Sequence, residues 1–190
     1  MGTIVFFVLL AVILLWVVGA YNRLVALKNQ VVNGWKQIDV QLKRRHDLIP
    51  NLVNTVKGSM NFEKETLEAV ISARNKAVGA SGVKETAAAE GQLTQALGRF
   101  FALSEAYPEL KSNQNVLQLQ EELTSTENKI GFARQAYNDI ATQYNTVQMQ
   151  FPTNLFAGLA HAVPAELWEI TDAGERNAPT VDLGFGKPAS

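Results

Sequence analysis

Two long stripes of apolar positions, each stepping alternately by three and four residues, organise the chain. The first passes through Leu24, Leu27, Val31, Trp35, Ile38, Leu42, Arg45, Ile49, Leu52 and Val56. The second passes through Val116, Leu119, Leu123, Thr126, Ile130, Ala133, Tyr137, Ile140, Tyr144, Val147 and Phe151. Steps of three and four keep side chains on one face of an α-helix, so the second stripe predicts a helix over residues 113–150. Thr126 and Ala133, small or polar members of that stripe, mark close approach to a neighbouring helix. Val53, Val56, Met60, Leu67 and Ile71 predict a second helix over 50–78, and Leu93, Leu97, Phe100 and Phe101 a third over 84–106. "VGASGV" (78–83) reads as a loop, and Pro108 in "YPEL" (107–110) ends the third pattern. Short alternating runs of the kind that mark strands are missing. Four amphipathic helices on short connections predict an all-α fold, an antiparallel four-helix bundle over 23–150 with an irregular tail over 151–190.

Ahead of the first stripe lies a segment without any charge. Residues 3–20, "TIVFFVLLAVILLWVVGA", are almost wholly apolar, and as a helix they reach ~27 Å, about the hydrocarbon thickness of a bilayer. Trp16 and Tyr21 sit toward its C-terminal end, where amphipathic rings favour the interface. A cleaved signal peptide is the competing reading, but the segment lacks a basic leading region and its apolar core is long for one. "MGTIVF" lacks the sixth-position Ser or Thr of a myristoylation signal. Residues 1–22 are therefore expected to be a transmembrane anchor that runs directly into the first helix. Arg23, Lys28 and Lys36 follow the span and no charged side chain precedes it, which places the N-terminus outside and the bundle in the cytosol.

The first stripe crosses a polar junction, "KRRHDLIPNL" at 43–52. Arg44, Arg45 and His46 suit a helix C-terminus, where cations meet the last carbonyls. Asp47 and Pro50 suit the start of the next helix. The junction thus reads as a break between helices, with a continuous helix kinked at Pro50 as the alternative, because the stripe survives it. Arg45 lies on the stripe and His46 off it. A guanidinium facing a core needs a partner, so Arg45 is expected either to snorkel at the bundle end, to pair with Asp47 or a glutamate, or to act as a polar latch for helix register or for a partner's carboxylate. His46 is expected to be dispensable.

Seventeen basic and 18 acidic residues nearly cancel, which leaves no field to attract nucleic acid. With no cysteine, thiolate catalysis and cysteine metal sites are excluded. Neither His46 nor His161 follows a glutamate at the three-residue spacing of di-iron bundles, and H-E-x-x-H and G-x-S-x-G are absent. Gly184 and Gly186 precede no helix that could hold a phosphate. The glutamate clusters at 63, 65 and 68 and at 121, 122 and 127 read as solvated faces. No catalytic residue, metal site or cofactor is expected.

"YNRLVALKNQVVNGWKQIDVQLKRRHDLIPNLVNTVKG", "LEAVISARNKA", "YPELKSNQNVLQLQEELTSTENKIGFARQAYND" and "YNTVQMQFPTNLFA" resemble the LemA family in order and spacing, up to about residue 160. The resemblance implies a bacterial membrane protein with one span and a helical bundle, and no enzymatic activity, cofactor or catalytic residue. It marks Arg44, Arg45, Asp47, Pro50, Asn51, Arg74, Arg134, Tyr137, Asn138 and Pro152 as family motif residues. The tail from 161 onward matches no assigned pattern.

The expected function is a non-catalytic scaffold in the bacterial cytoplasmic membrane. Its partners are the lipid bilayer through residues 3–20, further copies of itself, and possible membrane proteins not identified by sequence. Self-assembly is expected because the fourth helix keeps its apolar stripe beyond the reach of the third, with Phe151 and the tail at or near the contact. A tail folding back through Leu155, Phe156, Leu159 and Trp168 would cover the same surface. A sensor that receives a peptide or lipid, and a membrane-shaping protein like family relatives of intracellular membrane organelles, are the alternatives.

Overall fold

The structure, a computed structural model, describes residues 1–57, 63–158 and 160–169. Among these the chain is all-α: α1 Gly2–Lys57, α2 Lys64–Gly79, α3 Val83–Ser104, α4 Pro108–Lys111, α5 Gln114–Met149 and α6 Asn154–Ala157, followed by an extended segment to residue 169. Met60, Leu159, Gly184 and Gly186, singled out in the sequence, lie outside the described residues.

The expected break at 43–52 is not there. α1 runs for 56 residues through Pro50, the continuous helix that the surviving stripe offered as the alternative, ~84 Å along its path. The physical reason lies in how the helix satisfies its backbone. Proline removes the N–H that would reach the carbonyl four residues back, here that of His46. The guanidinium of Arg74 supplies the missing donor, its Nε reaching the His46 carbonyl at 3.3 Å. Pro50 itself is exposed, so its ring has room at the helix surface. The second predicted helix accordingly loses Val53 and Val56 to α1 and begins at Lys64. α3 and α5 lie within two residues of their predicted bounds. "YPEL" ends the third pattern as expected but then starts one helical turn, with Pro108 in its first position.

α1 packs against α5, α2 against α3, and α1 against α2. The α1–α5 pair is antiparallel along its whole length: Arg45 meets Glu127 near one end, and Gly34 meets Tyr137 midway. A Cβ on Gly34 would stand 3.5 Å from the Tyr137 ring, so a small residue lets the two backbones approach there. All ten positions of the first stripe and all of the second but Phe151 are buried or half-buried. The distal core gathers Ile49, Leu52, Val56, Leu93, Phe100 and Leu123 from α1, α3 and α5. Nearer the N-terminal apolar segment, Leu24 and Leu27 pack with Tyr144, Val147 and Ala160. The tail therefore covers part of the stripe, as the alternative to self-association expected, through Ala160, Ala165 and Trp168. Leu155, a proposed member of that covering cluster, is exposed instead. The apolar window of α1 has no buried residue and is long enough to cross a bilayer.

Candidate functional site

Three helices meet at a buried ionic cluster. Arg45 of α1 sends Nη1 to Oε2 of Glu90 on α3 at 3.1 Å and to Oε2 of Glu127 on α5 at 2.8 Å. Its Nη2 donates to the Thr94 hydroxyl at 2.9 Å. The Glu127 contact is a close ion pair whose carboxylate oxygen lacks hydrogen-bond alignment. His46 Nε2 donates to the second oxygen of Glu90 at 2.5 Å, so both oxygens of Glu90 are engaged. Arg45 and Glu90 are each only 3% exposed. In a medium that poorly solvates charge, such groups are tolerable only when paired. Arg45 is thus paired with glutamates, one of the arrangements expected for it, while His46 corrects the expectation: it is buried and bonded, not a free residue at a helix end. Glu127 also departs from the solvated face assigned to its cluster.

Glu90 and Thr94 were missed, although the signal for Glu90 is legible afterwards. It stands between Ala87–Ala89 and Gly91, three residues before Leu93 and seven before Leu97, a charge on a core stripe flanked by small residues that admit a long partner side chain.

A second cluster lies along α1 and α5, nearer the N-terminal apolar segment. Here the extended tail crosses α5. Asn138 accepts from the Trp168 N–H at 2.8 Å and donates to the Trp168 carbonyl at 2.9 Å. Asn145 does the same with Ala165, at 2.8 and 2.9 Å. Seven helical residues rise ~10.5 Å and three extended residues span ~10 Å, so the two amides match the pitch of the tail. Trp168, 4% exposed, packs its ring at 5.9 Å from that of Trp35 in a tilted pair and lies under the Arg134 guanidinium at 5.4 Å, a cation–π geometry. Tyr137 donates its hydroxyl to the Glu166 carbonyl at 2.7 Å. Burial, and secondarily the negative charge of Glu166, push the Tyr137 hydroxyl above its ordinary pKa. Burial also raises Tyr144, with the Val163 backbone offsetting part of the effect.

A cleft of about 390 Å³ joins the two clusters, lined by Arg45, Glu90, Glu127, Arg134 and Trp168 among others. The remaining motif residues stand apart. Arg44 and Asp47 are exposed, 4.0 Å from Glu122 and 3.5 Å from Lys43 respectively. Asn51 is exposed and lends its carbonyl to Thr55. Phe151 is exposed, and Pro152 follows it across a cis peptide bond at the far end of α5. Among the described residues no three His, Asp or Glu side chains gather where they could hold a metal ion. The carboxylates that do converge are engaged by Arg45 and His46, an arrangement that locks helices together.

The LemA family profile matches residues 34–183. Protein LemA of Metamycoplasma hominis is 32% identical over 95% of this chain and 83% of its own length. Magnetosome protein MamQ 2 of Paramagnetospirillum magneticum is 24% identical over 86% of this chain and 70% of its own. Magnetosome protein MamQ of Magnetospirillum gryphiswaldense is 24% identical, covering 82% and 66%. The chain belongs to the LemA family. The match also corrects the reading of the tail: similarity does not end near 160 but continues to 183, through the strap held by Asn138 and Asn145.

Proposed function

We propose that this LemA family protein is a non-catalytic scaffold of the bacterial cytoplasmic membrane, which self-assembles there and presents its bundle as one rigid body with its anchor. The observation that carries the reading is the single uninterrupted helix from Gly2 to Lys57. A hinge would let anchor and bundle move separately, whereas a rod held by the Arg45 cluster fixes the bundle at a set height above the bilayer. Arg23, Lys28 and Lys36 after the span favour a cytosolic bundle. Anchors held parallel in one bilayer raise the effective concentration of neighbouring copies, which favours association without a large interface. The magnetosome proteins among its relatives favour a membrane-associated role. Light scattering of the detergent-solubilised protein, corrected for bound detergent, is expected to give several times the chain mass of 20.8 kDa. A uniform monomer across mild detergents would contradict self-assembly.

A second reading rests on the same helix: a peptide or lipid received by the bundle could be signalled along it to the membrane. Binding of such a ligand, with a matching change at the anchor, would distinguish that reading.

A further inference from the structure

The antiparallel register of α1 and α5 continues past the end of α5. Gly34 faces Tyr137, and eighteen residues toward the N-terminus Trp16 faces Phe156, nineteen residues further along the other arm, with ring centroids 6.5 Å apart. Trp16 lies inside the apolar segment 3–20, four residues or ~6 Å short of its C-terminal end. The elbow that follows α5, residues 150–158, is therefore level with the upper edge of the span. α6 within it packs on α1. Large apolar side chains on and around the elbow face away from the protein: Met149, Phe151, Leu155 and Val163 are 65–79% exposed. Residues 140–165 contain no Asp, Glu, Lys or Arg. Just past the span, Arg23 and Lys28 supply positive charge, and Lys28 donates its Nζ to the His161 carbonyl at 3.1 Å. Apolar side chains at the depth of the interface, no charge among them and cations immediately outside are what a bilayer surface selects.

We propose that this elbow is a second membrane contact, seated in the headgroup and upper acyl region beside the anchor, with Phe151 and Leu155 as its inserted side chains. Two contacts instead of one fix the rotation and tilt of the rod, so the bundle faces one direction over the membrane. The inference rests on the membrane-anchored reading above. It also offers an occupant for Phe151, the one stripe position left exposed, other than a second copy of the chain.

The chain has no cysteine, so single cysteines report cleanly. Full-length protein carrying F151C, L155C, Y21C or F132C, each labelled with an environment-sensitive fluorophore, is reconstituted into phosphatidylcholine–phosphatidylglycerol vesicles with or without lipids bearing a nitroxide high on the acyl chain. Phe132 is exposed on α5 and stands well away from the span, which makes it the control outside the membrane. The expected result is quenching at 151 and 155 severalfold above that at 132 and close to that at 21. Quenching at 21 with none above the 132 level at 151 and 155 would overturn the elbow contact and leave the anchor standing. No quenching at 21 would overturn the anchored reading itself. Quenching of 151 and 155 only by a nitroxide-labelled second copy, and not by lipid, would assign the elbow to self-association and overturn the proposal.

Discussion

Arg45 shows what a charge on an apolar stripe is for. Its guanidinium joins α1 to α3 and α5 through Glu90, Thr94 and Glu127, and truncating it strands two carboxylates, one of them fully buried. Removing one partner of a buried pair typically costs ~3–5 kcal/mol, so Arg45→Ala is expected to lower the melting temperature steeply. His46→Ala leaves one oxygen of Glu90 without its donor and is expected to cost ~1–3 kcal/mol; an unchanged melt would show that the His46–Glu90 bond contributes nothing. Pro50 and Arg74 make a sharper test, because the Arg74 Nε donates to a carbonyl that proline leaves vacant. Arg74→Ala is expected to destabilise by ~1–2 kcal/mol, and by markedly less in a Pro50→Ala background, where the restored N–H reaches the His46 carbonyl. Equal costs in both backgrounds would mean that Arg74 acts elsewhere. The stripe made Arg45 legible in the sequence and its need for a partner followed. The identity of that partner did not, because Glu90 is 45 positions away and only the fold brings α3 to α1.

At the scale of elements, periodicity located α3 and α5 closely and ran unbroken through α1, and it was the expected break at 43–52 that failed. The failure has a definite cause. Helix-end chemistry at 43–52 and an unbroken apolar stripe pointed in opposite directions, and the stripe prevailed: Ile49, Leu52, Val53 and Val56 are all buried along the continuous helix. The tail was harder to read, since an extended segment held by side-chain amides has no period of its own. Its legible trace was the seven-residue spacing of Asn138 and Asn145. Each amide makes two bonds to the tail backbone, so Asn138→Ala is expected to cost ~1–2 kcal/mol of local stability and to speed exchange of the Trp168 amide by about tenfold or more, a factor that ~1.4 kcal/mol supplies. Hydrogen exchange resolved to 162–169 checks this, and unchanged protection there would show that the aromatic socket alone holds the strap.

For the whole molecule, the function proposed above requires the apolar segment, the α1–α5 pair and the helices at its distal end to move as one mechanical unit. Hinging at 43–52 would decouple the membrane from everything the bundle presents. Spin labels at N22C and N54C, both exposed positions on α1, measure this directly by pulsed dipolar spectroscopy in nanodiscs, with labelled protein diluted into unlabelled protein so that only distances within one chain register. Thirty-two helical residues rise ~48 Å. A narrow distance distribution centred at about 48 Å is the result an unbroken rod predicts, and a broad or clearly shorter distribution would contradict it.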